Sequence, residues 1–312
     1  MSLVLPNLRG QERNTLYIMG NGFDLDHNLK TRYWDFRQWL LEHNYDDFVR
    51  EMEMIFPKIN DNKLLLWKDF EAALEKADPI KIHQLFFQGV DDGWYNSKTQ
   101  HVVIDRIKPR LDRIPELLRD WLTDTTKAIY DMDEKYDLSR DSLYLSFNYT
   151  MLLEKVYSIP SNRILHIHNS IEDENPLVTG HKHTYNEDIE HSNVNIEKSM
   201  LLISQGLNQL KKPVDDIIEK ESDFFTSLND ITNIITFGFS LSPIDLKYFK
   251  EVIMNVHDNA HWYFVCYNDK AKKKYETITY KYANLPQYYY GRERYIQKIR
   301  VENCRYLYIT RE

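Results

Sequence analysis

A short apolar run that ends abruptly in two glycines constrains the fold of this chain more than any other feature. The segment from Leu16 to Asp24 reads LYIMGNGFD. A buried strand that opens into such a turn can bring backbone N–H groups close to a ligand, because glycine lacks a Cβ and reaches positive φ. Leu25 stands where the dinucleotide fingerprint has its third glycine, so the spacing alone also fits a strand and an ordinary tight turn. The segment is compatible with a nucleotide pocket and with an ordinary turn. Other segments of the chain have to distinguish the two.

Bulk properties narrow the class of protein. The 312 residues, 42% of them hydrophobic, can form a sizeable core, either as one large domain or as a core with an insertion. The net charge of −8 disfavours a nucleic-acid partner, although positive charge is concentrated from Lys270 to Lys274. No apolar run approaches the roughly 18 residues of a membrane span, and Met1 to Asn14 lacks the apolar part of a secretory signal. With two cysteines, too few for a disulfide framework or a four-cysteine zinc site, the sequence predicts a cytoplasmic protein without membrane contact.

Several apolar runs rich in β-forming residues predict the strands of a parallel sheet. These runs are Thr15–Met19, Ser142–Phe147, Arg163–Ile167, Asn233–Phe237 and His261–Tyr267. The long segment between the first two runs has helical periodicity. We therefore expect an α/β protein with a Rossmann-like parallel sheet and a large helical insertion. The chain would form one unit over residues 1–312. Its Rossmann-like core would comprise residues 13–42 and 139–312, and its helical insertion residues 43–138. The polar stretch from Ile171 to Ser199 is predicted to be a long loop over the site.

Polar residues follow the second and third predicted strands. Asn148 stands at a junction between a strand and a helix, and α/β proteins bind ligands at the carboxyl ends of their strands. An Asn in this place also serves as an ordinary turn or cap residue. His166 and His168 end the third strand, where a period of two would point both imidazoles to one face. An imidazole there could act as a general acid or base near neutral pH.

The fourth predicted strand ends in a glycine and several polar residues. Gly238 permits close approach of the backbone, while Ser242 can cap a helix that begins at Pro243 and has Asp245 in its first turn. A nucleophile elbow requires glycine two residues after its serine, but Ser242 follows Ser240 at that position. The sequence therefore disfavours a serine hydrolase.

Taken together, these segments occur in an order that is typical of one known family. The residues concerned are Gly20-Asn21-Gly22-Phe23-Asp24 with Leu29, Thr31, Tyr33 and Phe36, Trp67 with Glu71, Phe147-Asn148-Tyr149-Thr150 with Glu154, His166-Ile167-His168, and Gly238-Phe239-Ser240 with Asp245. In these residues the chain resembles AbiH proteins, a family of bacterial phage abortive-infection proteins, over nearly its whole length. One position departs from the pattern, because Asn169 stands where glycine is expected.

AbiH proteins are in turn distantly similar to the SIR2-like NAD-binding domains of other phage-defence systems. This resemblance implies a SIR2-like core that binds NAD and cleaves it to nicotinamide and ADP-ribose. It implies that Asn148 and His168 are catalytic. The implied nucleotide-binding residues are Gly20, Asn21, Gly22, Phe23 and Asp24 at the phosphate and ribose, with Gly238, Ser240 and Asp245 towards the adenosine. Thr31, Trp67, Glu71 and His166 would support them from a second layer. We expect the face shared by Trp67 and Glu71, four residues apart on a helix, to point towards the cleft.

The chemistry of the pair suits this reaction. Cleavage of the bond between nicotinamide and ribose passes through an oxocarbenium-like state. The Asn148 amide could orient a ribose hydroxyl or a water molecule, and the His168 imidazole could take a proton. Deacetylation, the other SIR2-type activity, is disfavoured because its four-cysteine zinc module cannot be built from two cysteines. The resemblance also implies a phage-derived trigger or partner protein, and a homo-oligomer is compatible with it.

Two alternative functions stay open at this point. The pairs His166 and His168, and His181 and His183, could bind a catalytic metal, although spacing specifies no third ligand and the leading function needs none. The protein could instead bind a nucleotide as a non-catalytic sensor while its insertion binds a partner. Release of nicotinamide from NAD+ would distinguish the enzyme from the sensor.

Overall fold

A computed structural model describes residues 5–6, 8–56, 65–87, 107–188, 190, 194–282, 285–289, 292–296 and 299–309. The strands are β1 (Thr15–Met19), β2 (Leu143–Ser146), β3 (Ile164–His166), β4 (Asn233–Phe237), β5 (His261–Cys266), β6 (Leu285–Tyr289), β7 (Arg292–Ile296) and β8 (Cys304–Tyr308). The α-helices are α1 (Asn21–Asp26), α2 (Tyr33–Glu42), α3 (Asp46–Ile55), α4 (Leu65–Lys68), α5 (Phe70–Glu75), α6 (Pro79–Phe87), α7 (Lys108–Asp112), α8 (Ile114–Thr125), α9 (Leu152–Lys155), α10 (Val194–Asn208), α11 (Val214–Lys220), α12 (Ser222–Thr226), α13 (Leu246–Asn255) and α14 (Asp269–Tyr282).

The described chain forms two compact units. The first unit comprises Met1–Leu29, Thr126–Glu172 and Val214–Glu312, and the second comprises Lys30–Thr125 and Asp173–Pro213. These boundaries differ from the predicted core at 13–42 and 139–312 and the predicted insertion at 43–138. The second unit includes α2 because this helix packs on α3, α4 and α8, and it includes α10 because that helix packs on α6 and α7.

The first unit is built on a six-stranded parallel sheet. Its strand order is β3-β2-β1-β4-β5-β8, and every neighbouring pair is parallel. The prediction of an α/β fold with a Rossmann-like parallel sheet is therefore confirmed. On one side of β1 the chain adds β2 and then β3. On the other side of β1 it adds β4, then β5 and then β8. The carboxyl ends of β1 and β4 thus form the topological switch point, where open α/β sheets bind ligands.

Apolar residues cover both faces of this sheet. Leu16 and Ile18 of β1 point into one buried layer, whereas Tyr17 and Met19 point into the other. Strands buried on both faces read as continuous apolar runs, which is why β1 and β4 were recognisable in the sequence. Helix α13 buries Phe249 and neighbouring side chains against the first layer. β6 and β7 pair with each other in a separate antiparallel sheet of two strands.

The second unit is helical in its described part. Aromatic side chains link its helices, with Phe36 of α2 between the rings of Trp67 and Trp121 at centroid distances of 6.0 and 5.1 Å. The predicted loop from Ile171 to Ser199 is partly wrong, because α10 begins at Val194, while residues 189 and 191–193 lie outside the described residues. No described helix of either unit is both long enough and apolar enough to cross a membrane.

Candidate functional site

Three glycines bring two turns into backbone contact at the switch point. The N–H of Gly20 donates to Phe237 O at 2.9 Å, and the N–H of Gly22 donates to Gly238 O at 3.0 Å. A Cβ on Gly22 would lie 2.6 Å from Gly238 Cα, and Gly238 itself has a φ of +65°. Glycine is required here because two main chains pack directly on each other. We expected these N–H groups to approach a ligand, but both donate hydrogen bonds to backbone oxygens of the protein itself.

A pocket of about 250 Å³ opens beside these turns, at the carboxyl ends of β1, β4 and β5. Gly22, Gly238 and Ser240 line one side of it, and Tyr267 and Lys274 line another. Tyr267 donates its hydroxyl to Gly22 O, and Lys274 donates to the backbone oxygen of Ser240. The described residues around this pocket therefore offer mainly apolar walls and one positive charge.

A buried carboxyl group lies under the same end of the sheet. Asp24 in α1 is 1% exposed, and its two oxygens accept hydrogen bonds from Asn148 Nδ2 at 2.8 Å and Thr150 Oγ1 at 2.9 Å. Burial raises the pKa of Asp24 to about 7, although these two hydrogen bonds and the nearby His166 act in the opposite direction. A carboxyl group that titrates near neutral pH is characteristic of functional sites.

The amide of Asn148 is fixed by two acceptors. Its Nδ2 donates to Asp24 Oδ1 and also to Gly20 O at 3.2 Å, so Gly20 and Asn148 meet at one end of the sheet. The side chain is 6% exposed, and its Oδ1 has no hydrogen-bond partner within the described structure. An unsatisfied buried acceptor costs about 1–3 kcal/mol. Asn148 therefore presents an acceptor that a ligand hydroxyl could satisfy.

His166 ties the end of β3 to the residues that follow β2. Its Nδ1 donates to the backbone oxygen of Asn148 at 2.9 Å, because a carbonyl can only accept, and its Nε2 lies 2.8 Å from Glu154 Oε1. Sequence reasoning missed Thr150 and Glu154 as members of this site. Both stand in the same motif, two and six positions after Asn148, but only the position of α1 shows that Thr150 reaches Asp24.

His168 has surroundings different from those of His166. Strand β3 ends at His166 and the chain turns, with the N–H of Asn169 donating to His166 O, so the two imidazoles do not follow the expected alternation of one strand. His168 is 3% exposed and its Nε2 lies 3.6 Å from Asp245 Oδ1. Tyr248 packs edge-on against its ring. Asp245 thus contacts His168, whereas the resemblance grouped it with Ser240 near the adenosine.

Asn169, which stands in place of the expected glycine, has a φ of +61°. Asn is the side chain that best tolerates this left-handed conformation after glycine. We expect Asn169→Gly to change the free energy of unfolding by less than about 1 kcal/mol, and Asn169→Ala to lower it by about 1–2 kcal/mol. Urea denaturation of the three proteins measures both values. Equal stability of the Ala and Gly variants would contradict this explanation of the substitution.

Two of the predicted second-layer residues, Trp67 and Glu71, have partners within the second unit. Trp67 is buried and donates its Nε1 to Glu53 Oε1 at 2.9 Å. Glu71 Oε1 lies 2.5 Å from Nζ of the buried Lys212, so Glu71 belongs to an ion pair. Thr31 is also buried. The expected role of these residues beside a nucleotide stays a prediction.

The second histidine pair belongs to the helical unit. His181 donates its Nε2–H to Leu207 O at 3.0 Å, and burial lowers the pKa of this imidazole. His183 packs against the ring of Tyr185. Among the described residues, no group of three or more His, Cys, Asp or Glu side chains is arranged to hold a metal ion.

Comparison with known proteins gives one finding. A family model described as "Bacteriophage abortive infection AbiH" matches residues 16–267. The match runs from β1 to just beyond β5 and includes Asp24, Asn148, Thr150, Glu154, His166, His168 and Asp245. No curated protein and no solved structure matches the chain.

Proposed function

The chain belongs to the bacteriophage abortive infection AbiH family, and we propose that it acts in phage defence by cleaving NAD+ to nicotinamide and ADP-ribose. The observation that supports this activity most is the buried acceptor Asn148 Oδ1, held beside the switch point within one unit that also holds His168. A sugar hydroxyl is the natural partner of such an acceptor. Depletion of NAD+ would stop the metabolism of the infected cell and thereby the phage.

The pocket is suited to part of a dinucleotide. Ligand sites commonly measure about 300–1,000 Å³, so a pocket of about 250 Å³ would hold the adenosine half alone. Its apolar walls suit the adenine ring, and Lys274 supplies a cation for a phosphate. Gly20 and Gly22 are packed against the main chain at Gly238 and Phe239, so the rest of the nucleotide would have to pass beside these turns, and not between them, to reach Asn148 after β2.

The proposed reaction is hydrolysis at the ribose carbon that carries nicotinamide. A water oxygen forms a bond to C1′ while the bond from C1′ to the ring nitrogen breaks, and its electron pair leaves with neutral nicotinamide. The proton of the water passes to His168. Asp245 would stabilise the resulting imidazolium from 3.6 Å. Asn148 Oδ1 would accept a hydrogen bond from a ribose hydroxyl and hold the sugar for attack.

The direct test is incubation of the pure protein with NAD+, with nicotinamide measured by chromatography and binding by calorimetry. We expect release by the wild-type chain and loss of both signals in Ala271→Trp, because Ala271 lines the pocket and an indole would fill it. Lys273→Trp is the matched control, since Lys273 is exposed on the same helix. Binding without release would favour the nucleotide sensor instead. Absence of binding would overturn the proposal.

A further inference from the structure

The donor hydrogens of the Asn148 amide are both committed inside the protein. One is directed to Asp24 Oδ1 at 2.8 Å and the other to Gly20 O at 3.2 Å. A backbone oxygen and an ionised carboxylate can only accept hydrogen bonds. The amide must therefore direct its NH₂ group, and not its oxygen, towards Gly20 and Asp24. Gly20 O belongs to the main chain, which leaves Asp24 as the one side chain that holds Nδ2. Oδ1 is therefore the atom that the amide offers to a ligand.

Asp24 is in turn held from two sides. Its other oxygen accepts a hydrogen bond from Thr150, and the carboxyl group lies in α1 directly after the glycine turn. The side chains that face it from the loop after β2, Asn148 and Thr150, are neutral. His166 faces it from the end of β3 as a titratable group, and Glu154 of α9 bonds to that imidazole. The negative charge of Asp24 is thus placed one amide group away from the buried acceptor.

On the basis of the proposed NAD+ cleavage, we infer that Asp24 is a positioning residue, which fixes the Asn148 amide and stabilises through it the positive charge that develops on the ribose. The transition state of such a cleavage resembles an oxocarbenium ion. A fixed buried charge of opposite sign acts strongly on it, because the site does not reorganise and excludes water. Asp24 itself does not touch the substrate in this arrangement.

This role makes turnover dependent on the ionisation of Asp24. Burial raises the pKa of this carboxyl group to about 7, so the charge is present above neutral pH and absent at acidic pH. We expect kcat of the wild-type protein to rise with pH through about 7 and to level off above about pH 8. Asp24→Asn keeps the shape of the side chain but has no charge at any pH. Its kcat at alkaline pH should fall by about 10²-fold, while KM changes little, and any rise of its kcat with pH would belong to His168 alone.

Asp26→Asn provides the matched control. Asp26 lies in the same helix, and its partners are Lys135 and Tyr136 rather than Asn148. This variant should keep the pH profile of the wild-type protein. An Asp24→Asn protein with the wild-type kcat and profile would overturn the inference and leave NAD+ cleavage standing. A wild-type protein that releases no nicotinamide at any pH would overturn the proposed function, and the inference with it.

A second measurement follows the coupling of the two side chains without turnover. The side-chain NH₂ signals of Asn148, identified by their loss in Asn148→Ala, can be observed by nuclear magnetic resonance. They should shift with pH near 7 in the wild-type protein, because Nδ2 donates to the titrating carboxyl group. The shift should vanish in Asp24→Asn. Signals that do not titrate in the wild-type protein would contradict the role given to Asp24.

Discussion

Replacement of His168 by Gln should lower the rate of nicotinamide release by about 10²–10⁴-fold, the usual contribution of a general acid or base. Gln is preferable to Ala because His168 is buried between aromatic side chains, with Phe147 and Tyr248 both at 5.6 Å. An Ala variant would lose packing as well as the imidazole. His168 therefore contributes to packing as well as to the proposed chemistry.

Asn148→Ala should cause a comparable loss, because it removes the acceptor for the ribose hydroxyl. Asn148→Asp would place a second carboxyl group 2.8 Å from Asp24, where two negative charges repel each other. We expect that variant to lose stability as well as activity as pH rises. Both effects can be measured by nicotinamide release and thermal unfolding at several pH values.

His261→Gln is the control for the histidine variant, since His261 is exposed at the start of β5 in the same unit. It should retain the activity and melting temperature of the wild-type protein. If His168→Gln and Asn148→Ala released nicotinamide as fast as the wild-type protein, these residues would be structural and the mechanism would be wrong.

The second large effect concerns stability: Asp24→Asn should raise the free energy of unfolding at pH 8 by about 4 kcal/mol. This estimate follows from the rise in the pKa of Asp24 from 3.8 to about 7 caused by burial. Asn can still accept a hydrogen bond from Asn148 through its oxygen, and its NH₂ group can donate to Thr150. The variant therefore keeps the shape of the network without a buried charge.

The pH dependence of this effect has a defined sign. Below about pH 3 the carboxyl group is protonated in the folded and the unfolded chain, so the variant gains nothing there. As pH rises to about 7, the unfolded chain ionises first, and the wild-type protein loses stability that Asp24→Asn keeps. Urea denaturation between pH 4 and pH 8 measures the difference.

Asp26→Asn should give no such stabilisation, because it removes the ion pair with Lys135, whose Nζ lies 2.6 Å from the carboxylate. If Asp24→Asn were less stable than the wild-type protein at pH 8, the ionised carboxylate would be favourable to the fold. A variant that is more stable and less active would show that the ionised Asp24 lowers the free energy of unfolding while it supports activity.

The strands from β1 to β5 were predictable from the sequence, including β3 at one edge of the sheet, whereas β8 at the other edge was not. β1 and β4 are buried on both faces and read as apolar runs. β8 pairs with β5 at the edge of the sheet, and its residues Arg305 and Tyr308 are exposed. Its sequence therefore lacks the continuous apolar run by which the buried strands were recognised. The division into units was not predictable either, since it depends on which helices pack together and not on composition.

The site residues, like the strands, could be predicted from the sequence only in part. Asn148 and His168 were predicted from their places after strands, by the rule that ligands bind at the carboxyl ends, whereas Asp24 was predicted only by the family resemblance. Their partners were not identified, because a hydrogen bond between Thr150 and Asp24 joins residues 126 positions apart. The glycines were correctly singled out for backbone approach, but their N–H groups meet another turn of the same chain.

The position of β1 at the centre of the sheet also determines when the sheet can first be completed during synthesis. Thr15 pairs with Asn233, so β1 lacks one of its two neighbours until β4 has been synthesised. At about 5–20 residues per second, a ribosome needs roughly 10–40 s for that stretch. Throughout this time the apolar residues of β1 have no complete sheet to enter and are available to chaperones. A chain whose synthesis stops before β4 therefore cannot complete the centre of its sheet or form the turn contact between Gly22 and Gly238.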